Sequence, residues 1–315
     1  MSRRPRILVI SFSPIHRDAR VLREISALAE IGEVTSAGYG TRPPHVVDHL
    51  RIHDGAPSLP QTPAGVAGLA LRRLRACELA APAARETIRL VGGREFDVVV
   101  ANDARAIPTA FAVARGAPVW ADMHEWAPEE RTHVMSWRLL VAPLMDHICR
   151  EYLPGCAAVT TVAASIADLY LERYGVAPRL VRNAAPYADL EPSALREDGA
   201  IRLVHSGGAV AGRNIETMID AVKAAAPHLT LDLYLVPGND GGSYLRALHR
   251  RAHGCARITF HDPVAPAELA RTLNEYDVGI YWIPPYSTNA RLALPNKIFD
   301  FIQARLAVAA GPTLE

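Results

Sequence analysis

Strand-length apolar runs alternate with helix-period segments along almost the whole chain, and this alternation limits the fold more than any other feature. Residues 6–12, RILVISF, form a continuous apolar run, as a strand covered on both faces requires. A helix follows. Val21, Leu22, Ile25, Leu28 and Ala29 recur at helical spacing, Asp18 can cap its start and Gly32 can stop its end. Further strands are expected at 33–40, 96–103, 117–124, 157–163 and 178–184, with helices over 64–92, 106–115, 131–153 and 164–175. The proline- and histidine-rich text from 42 to 63 reads as loop. Repeated βα units predict parallel strands with right-handed crossovers.

The pattern breaks over 188–200, a polar stretch with a proline and a glycine, and then restarts. Strands at 201–208, 229–238, 256–262, 277–285 and 306–311 alternate with helices at 214–226, 243–253, 265–276 and 294–305. Two doubly wound α/β domains are therefore expected, 1–188 and 189–315, as a chain of 315 residues allows. Ligands of such sheets bind at the carboxyl ends of the strands, so a cleft between two facing domains is the expected site. The second domain stops at AAGPTLE and is expected to be incomplete.

Charge and cysteine content exclude several classes. Lys plus Arg number 34 against 33 Asp plus Glu, which gives no reason to expect a nucleic-acid partner. Cys77, Cys149, Cys156 and Cys255 form no CxxC pair, so neither a zinc site nor a disulfide framework is signalled. Free thiols in a reducing cytosol are the simplest reading. No export signal is visible, and no apolar stretch reaches membrane-spanning length. A cytoplasmic chain is expected.

Four stretches, in order, carry a resemblance. They are SPIHRDARVLREISALAEIGEV (13–34), WADMHEWAPE (120–129), HSGGAVAGRNIETMIDA (205–221) and LPNKIFDFIQARLAV (294–308). Together they resemble the GT-B glycosyltransferases, and within them the retaining family 4 type. The resemblance implies two Rossmann-like doubly wound domains facing a cleft, the first on the acceptor side and the second binding a nucleotide-sugar donor. It also implies sugar transfer with retention, and no required cofactor or metal. A nucleotide-sugar epimerase of the same architecture and a degenerate protein that binds without turnover are the alternative readings.

The chemistry of such a donor gives the stretches roles. Gly207 and Gly208 let the backbone approach a diphosphate at a helix start, and Arg213 can grip phosphate oxygens in a fork. Lys297 sits in a first helical turn, a poor match to the dipole unless an anion arrives there. By the resemblance Lys297 reaches the donor phosphates, Asn296 and the Leu294 backbone lie near the donor sugar, and Asp300 binds ribose hydroxyls where the family usually has glutamate. Ala209 stands where the family usually has arginine, and Arg305 and Ala307 depart from its usual glycine and proline. A strand delivers His124 to the carboxyl end of its sheet, where the resemblance gives it a positioning and stabilising role near donor sugar and acceptor. Glu125 then binds the acceptor or braces the loop. Asp103 ends another strand, as an acceptor-side residue or as a helix cap. His16 and Asp18 are acceptor-side candidates, and Asp18 is equally a natural cap.

The base (UDP, GDP or dTDP) and the acceptor (small molecule, glycan or lipid-linked) are not written in these letters. Base contacts are expected from backbone near 235–240 and 261–266, and GND at 238–240 is too weak to count as a metal-binding pair. Arg72, Arg73 and Arg75 lie on a leucine-bearing helix, read as a solvated face or as a peripheral contact with the inner membrane surface.

Overall fold

The computed structural model describes residues 3–132, 134–238, 240–266 and 268–313. Asn239 of the GND stretch, Ala267 and the last two residues therefore lie outside it, with Met1, Ser2 and His133. The chain forms two compact units, Met1–Arg182 with Ser287–Asn289, and Asn183–Tyr286 with Ala290–Glu315.

The first unit is a seven-stranded sheet in the order β3-β2-β1-β4-β5-β6-β7. Its strands are β1 (Arg6–Pro14), β2 (Glu33–Tyr39), β3 (Asp48–Arg51), β4 (Val98–Asn102), β5 (Val119–Met123), β6 (Ala158–Thr161) and β7 (Arg179–Leu180), and every pairing is parallel. Helix α1 (Ala19–Ile31) starts where expected. The Asp18 carboxylate accepts from the Val21 N–H at 3.3 Å, and Gly32 ends the helix. Ile7, Val9, Val21, Ile25 and Val100 close the core beneath it.

Three expectations fail here. The loop expected over 42–63 contains β3, an edge strand whose sequence, DHLR, has a single apolar residue. The single helix expected over 64–92 is three: α2 (Pro63–Ala70), α3 (Leu74–Cys77) and α4 (Pro82–Val91). Arg72 turns to a positive φ of 56° between the first two, which no helix accommodates, and Pro82 starts the third at a position where its missing N–H costs nothing. The helix expected from 131 is regular only as α6 (Ala142–Tyr152), preceded by a π-helical turn at Trp137–Val141. Helices α5 (Ile107–Ala114) and α7 (Ala164–Tyr174) complete the unit.

The second unit is a five-stranded sheet, again all parallel, in the order β10-β9-β8-β11-β12. The strands are β8 (Ile201–Ala209), β9 (Leu229–Pro237), β10 (Ile258–His261), β11 (Val278–Tyr281) and β12 (Ala307–Ala310). Helices α8 (Ile215–Ala224), α9 (Ser243–Ala252), α10 (Leu269–Leu273) and α12 (Asn296–Gln303) connect or flank them, and α11 (Thr288–Arg291) is divided, its first two residues belonging to the first unit. One core lies under α8 and α9, with Ile219, Leu231, Leu233 and Leu248. A second lies under α12, where Phe301 is fully buried.

Candidate active site

In the first unit, strand register builds a buried polar row at the carboxyl end of the sheet. Ser11 on β1 pairs with Asn102 on β4, Asn102 with Asp122 on β5, and Asp122 with Thr160 on β6. All four are buried. Such residues inside a sheet need partners. Asp122 has them: Arg20 of α1 grips it with Nε and Nη2, each at 2.6 Å, and Thr160 donates at 2.5 Å. Arg20 also reaches the Val181 carbonyl at 3.0 Å. Burial alone would raise the Asp122 carboxyl, but the hydrogen bonds from His124 and Arg20 hold it well below the usual carboxylate range.

His124 stands just beyond β5. Its Nε2 lies 3.0 Å from Asn102 Oδ1 and 3.2 Å from Asp122 Oδ2, and its Nδ1 lies 3.5 Å from Asp103 Oδ2. Burial pulls the imidazole down, yet Asp103 and Asp122 more than offset it and bring it up to about 9. At neutral pH the ring is a cation with both N–H groups aimed at acceptors.

Asp103 faces this ring instead of capping the next turn. Its carboxylate makes no cap bond and accepts from the His124 backbone N–H at 3.2 Å. Its backbone, at φ 66° and ψ 159°, occupies a region that only glycine enters freely, a strain of about 1–3 kcal/mol that such sites retain. Below the row lies Glu24, one turn after Arg20 on α1. The residue is partly buried, but its two carboxylate oxygens are enclosed and neither makes a full hydrogen bond, although the Asn102 amide lies near. Desolvation first, and the Asp122 charge second, raise its carboxyl to about 8.

A cavity of about 110 Å³ opens beside His124, lined by Asp103, Arg105, His124, Glu125 and Glu130 among others. Arg105 lies 3.6 Å from Glu130, whose carboxyl is raised chiefly by burial. Crowding by protein first, then the charges of Glu130 and Asp103, push Glu125 up to about 7. Glu125 nevertheless keeps an exposed outer surface, and that solvent moderates the rise. The loop is braced from below. Tyr170 donates its hydroxyl to the Glu125 carbonyl at 2.8 Å and packs edge-on against Trp126 at 4.9 Å.

In the second unit, β8 carries Gly207 and Gly208 just before its end. Gly207 has a φ of 143°, and a Cβ there would meet Lys297 Cε at 2.3 Å, so the lysine stem crosses the space a side chain would fill. Lys297 comes from the first turn of α12 and Arg213 from the turn before α8, where its Nη1 approaches the Gly208 carbonyl at 3.5 Å. Burial, then the charge of Arg213, lower the Lys297 amine to about 8, against the opposing pull of Asp300. Beneath them His205 bonds the Ile280 carbonyl through Nδ1 at 2.7 Å and leaves Nε2 unpartnered. Burial lowers this ring to about 4, so it is neutral.

Residues 37–186 match the family model Glycosyltransferase Family 4. The HepE protein of Anabaena, solved in complex with UDP-glucose, aligns at a TM-score of 0.67 and 15% identity over 98% of this chain and 81% of its own. Sucrose-phosphate synthase from Thermosynechococcus elongatus aligns at 0.67 and 14% over 98% and 82%. The lipopolysaccharide outer core galactosyltransferase WaaB aligns at 0.56 and 9% over 98% and 81%. No curated protein sequence matches significantly. The fold is that of the GT-B enzymes.

Two groups of the expected residues come together. Asp103, His124 and Glu125 share the cavity of the first unit, while Gly207, Gly208, Arg213 and Lys297 share the cradle of the second. Asn296 and Asp300 lie on the first two turns of α12 and Leu294 just before it; the Asn296 side chain bonds Asn183. His16 packs against Gly40, and Asp18 is engaged as the cap of α1 and with Ser13 at 2.8 Å. Ala209 lies in the core under α8, where an arginine would be buried. Asp240 of the GND stretch caps α9, accepting from the Tyr244 N–H at 2.8 Å and from Ser243 Oγ at 2.7 Å.

Arg20, Glu24, Arg105, Asp122, Glu130 and His205 were missed. The signal for three of them was present: an aspartate closing an apolar strand, and an arginine and a glutamate four apart on an otherwise core-facing helix.

Proposed function

We propose that this protein is a glycosyltransferase that binds the diphosphate of a nucleotide-sugar with Gly207, Gly208, Arg213 and Lys297, and transfers the sugar with retention to a hydroxyl of an acceptor bound in the His124 cavity. The observation that carries the reading is the pairing of two cations around a glycine that makes room for one of them. Like charges crowded together, one of them desolvated, raise each other's energy until an anion joins them. A diphosphate supplies that charge, and the first N–H groups of α12 add donors. In this reading Asn296 and the Leu294 backbone hold the donor sugar, and Asp300 accepts hydrogen bonds from ribose hydroxyls. HepE was solved with UDP-glucose, so UDP is the first nucleotide to test.

The acceptor oxygen bonds the anomeric carbon on the face from which the diphosphate departs. The carbon–oxygen bond to phosphate breaks, its electrons stay on the phosphate oxygen, and that oxygen takes the acceptor's proton. Lys297 and Arg213 stabilise the growing negative charge. His124, already protonated, orients the reacting groups and takes no proton. Asp103 and Glu125 receive acceptor hydroxyls. No metal or cofactor enters this scheme.

The test is thermal melting of the full chain with UDP, GDP and dTDP and their sugars. A ligand that binds the native state raises the midpoint. A rise with one nucleotide, lost in Lys297→Ala and Arg213→Ala, supports the reading; the acceptor search then starts from that donor, with His124→Ala as the control. Absence of any rise refutes the donor site.

A further inference from the structure

Helix α2 has no polar side chain, yet it lies on the surface of the first unit. Its sequence is PAGVAGLA, and only Gly65 and Leu69 are buried. Ala64, Val66, Ala67, Ala70 and the following Leu71 face solvent, Leu71 at 65% exposure. A helix apolar all round is normally enclosed. The turn at Trp137–Val141 packs beside it and adds Leu139, exposed like Met135 just before the turn, while Arg72 Nη1 ties the two segments together through the Leu139 carbonyl at 2.7 Å.

The charges around this apolar face are one-sided. Residues 63–77 and 131–145 hold Arg72, Arg73, Arg75, Arg131 and Arg138 and no aspartate or glutamate, in a chain whose overall charge is balanced. Each of the five arginines is exposed. A second copy of this chain would bring arginines against arginines, which disfavours self-association through this face. An anionic bilayer offers both things the face lacks: an apolar layer for Leu71, Val66, Met135 and Leu139, and negative headgroups for the arginines at its rim.

We infer that α2 and the turn at Trp137–Val141 form a docking face for an anionic membrane surface, with α2 lying in the interface and not crossing it. Among the described residues no helix is long and apolar enough to span a bilayer, so the attachment is shallow and reversible. The inference does not rest on the transfer chemistry, and it stands or falls independently of the donor site.

Co-sedimentation of the full chain with vesicles tests it. Vesicles of equal parts phosphatidylcholine and phosphatidylglycerol should bind the protein at low salt, and pure phosphatidylcholine should not. Each arginine near such a surface contributes about a fivefold factor, so Arg73→Glu with Arg75→Glu should lower partitioning more than about a hundredfold. Arg73→Lys with Arg75→Lys should hold it within about threefold. Leu71→Ser, at an exposed position that folding does not need, should cost roughly tenfold. Arg72 is left intact because it bonds Leu139. Equal binding to both vesicle types, or charge reversal without effect, overturns the proposal. So does the absence of binding to either, the outcome expected if an acidic protein is the partner.

Discussion

Replacing Glu24 by glutamine tests the electrostatics of the site more directly than removing any residue at the cavity. The carboxyl of Glu24 is enclosed, without a full hydrogen bond, and is raised from 4.5 to about 8. The folded protein therefore keeps a proton that the unfolded chain releases. With the folded value above the unfolded one, the stability contributed by this group is complete below pH 4.5 and is lost as pH rises through about 8. Glutamine has nearly the same shape as the protonated acid and cannot ionise. Glu24→Gln should thus match wild type near pH 4.5 and exceed it at pH 8 by on the order of 3–5 kcal/mol, the linkage value of a shift of this size. Urea unfolding at several pH values reads this directly. Trp120, Trp126 and Trp137 report the first unit, against Trp282 for the second. Parallel curves for the two proteins from pH 5 to 8, or a variant destabilised equally at every pH, would refute the reasoning.

Three further outcomes follow from named contacts. Arg20→Met strands the buried Asp122 charge and should cost about 3–5 kcal/mol in the unfolding of the first unit, measured by urea at pH 7. Nucleotide affinity should decline as pH rises above about 8, where free Lys297 loses its proton, and this slope should flatten in Lys297→Arg; calorimetric titration across that range measures it. Asp103→Gly should relieve the backbone strain while removing one of the carboxylates that hold His124 charged. Its imidazole should then titrate below about 9 by NMR, and an unchanged value would show that Asp122 alone sets it.

Much of the fold was legible because a buried parallel strand has to be an unbroken apolar run, and most such runs became strands in sheets of seven and five. β3 was not, because an edge strand with one apolar residue among DHLR carries no pattern. The breaks in the segment 64–92 were half-visible: Pro82 marks a helix start, but the positive φ at Arg72 belongs to an ordinary residue that gives no sign of it. At the site, strand ends announced Asp103 and His124. Arg20 of α1, which pairs with the Asp122 beside them, comes from about a hundred positions away, and only the fold brings it there. The approach of Lys297 to Gly207 spans ninety positions and was suggested by resemblance, not by spacing.

The row Ser11–Asn102–Asp122–Thr160 has a consequence for how this protein folds. Successive strand residues face opposite ways, so a slip of one position between β4 and β5 would turn Asp122 to the other face of the sheet. Arg20 would then sit among apolar side chains with no carboxylate to meet it, an error costing several kcal/mol. A purely apolar sheet would tolerate the same slip with far less complaint, since one valine packs much like the next. The buried charges of this row therefore also act as a proofreading mark on assembly, disfavouring misregistered sheets.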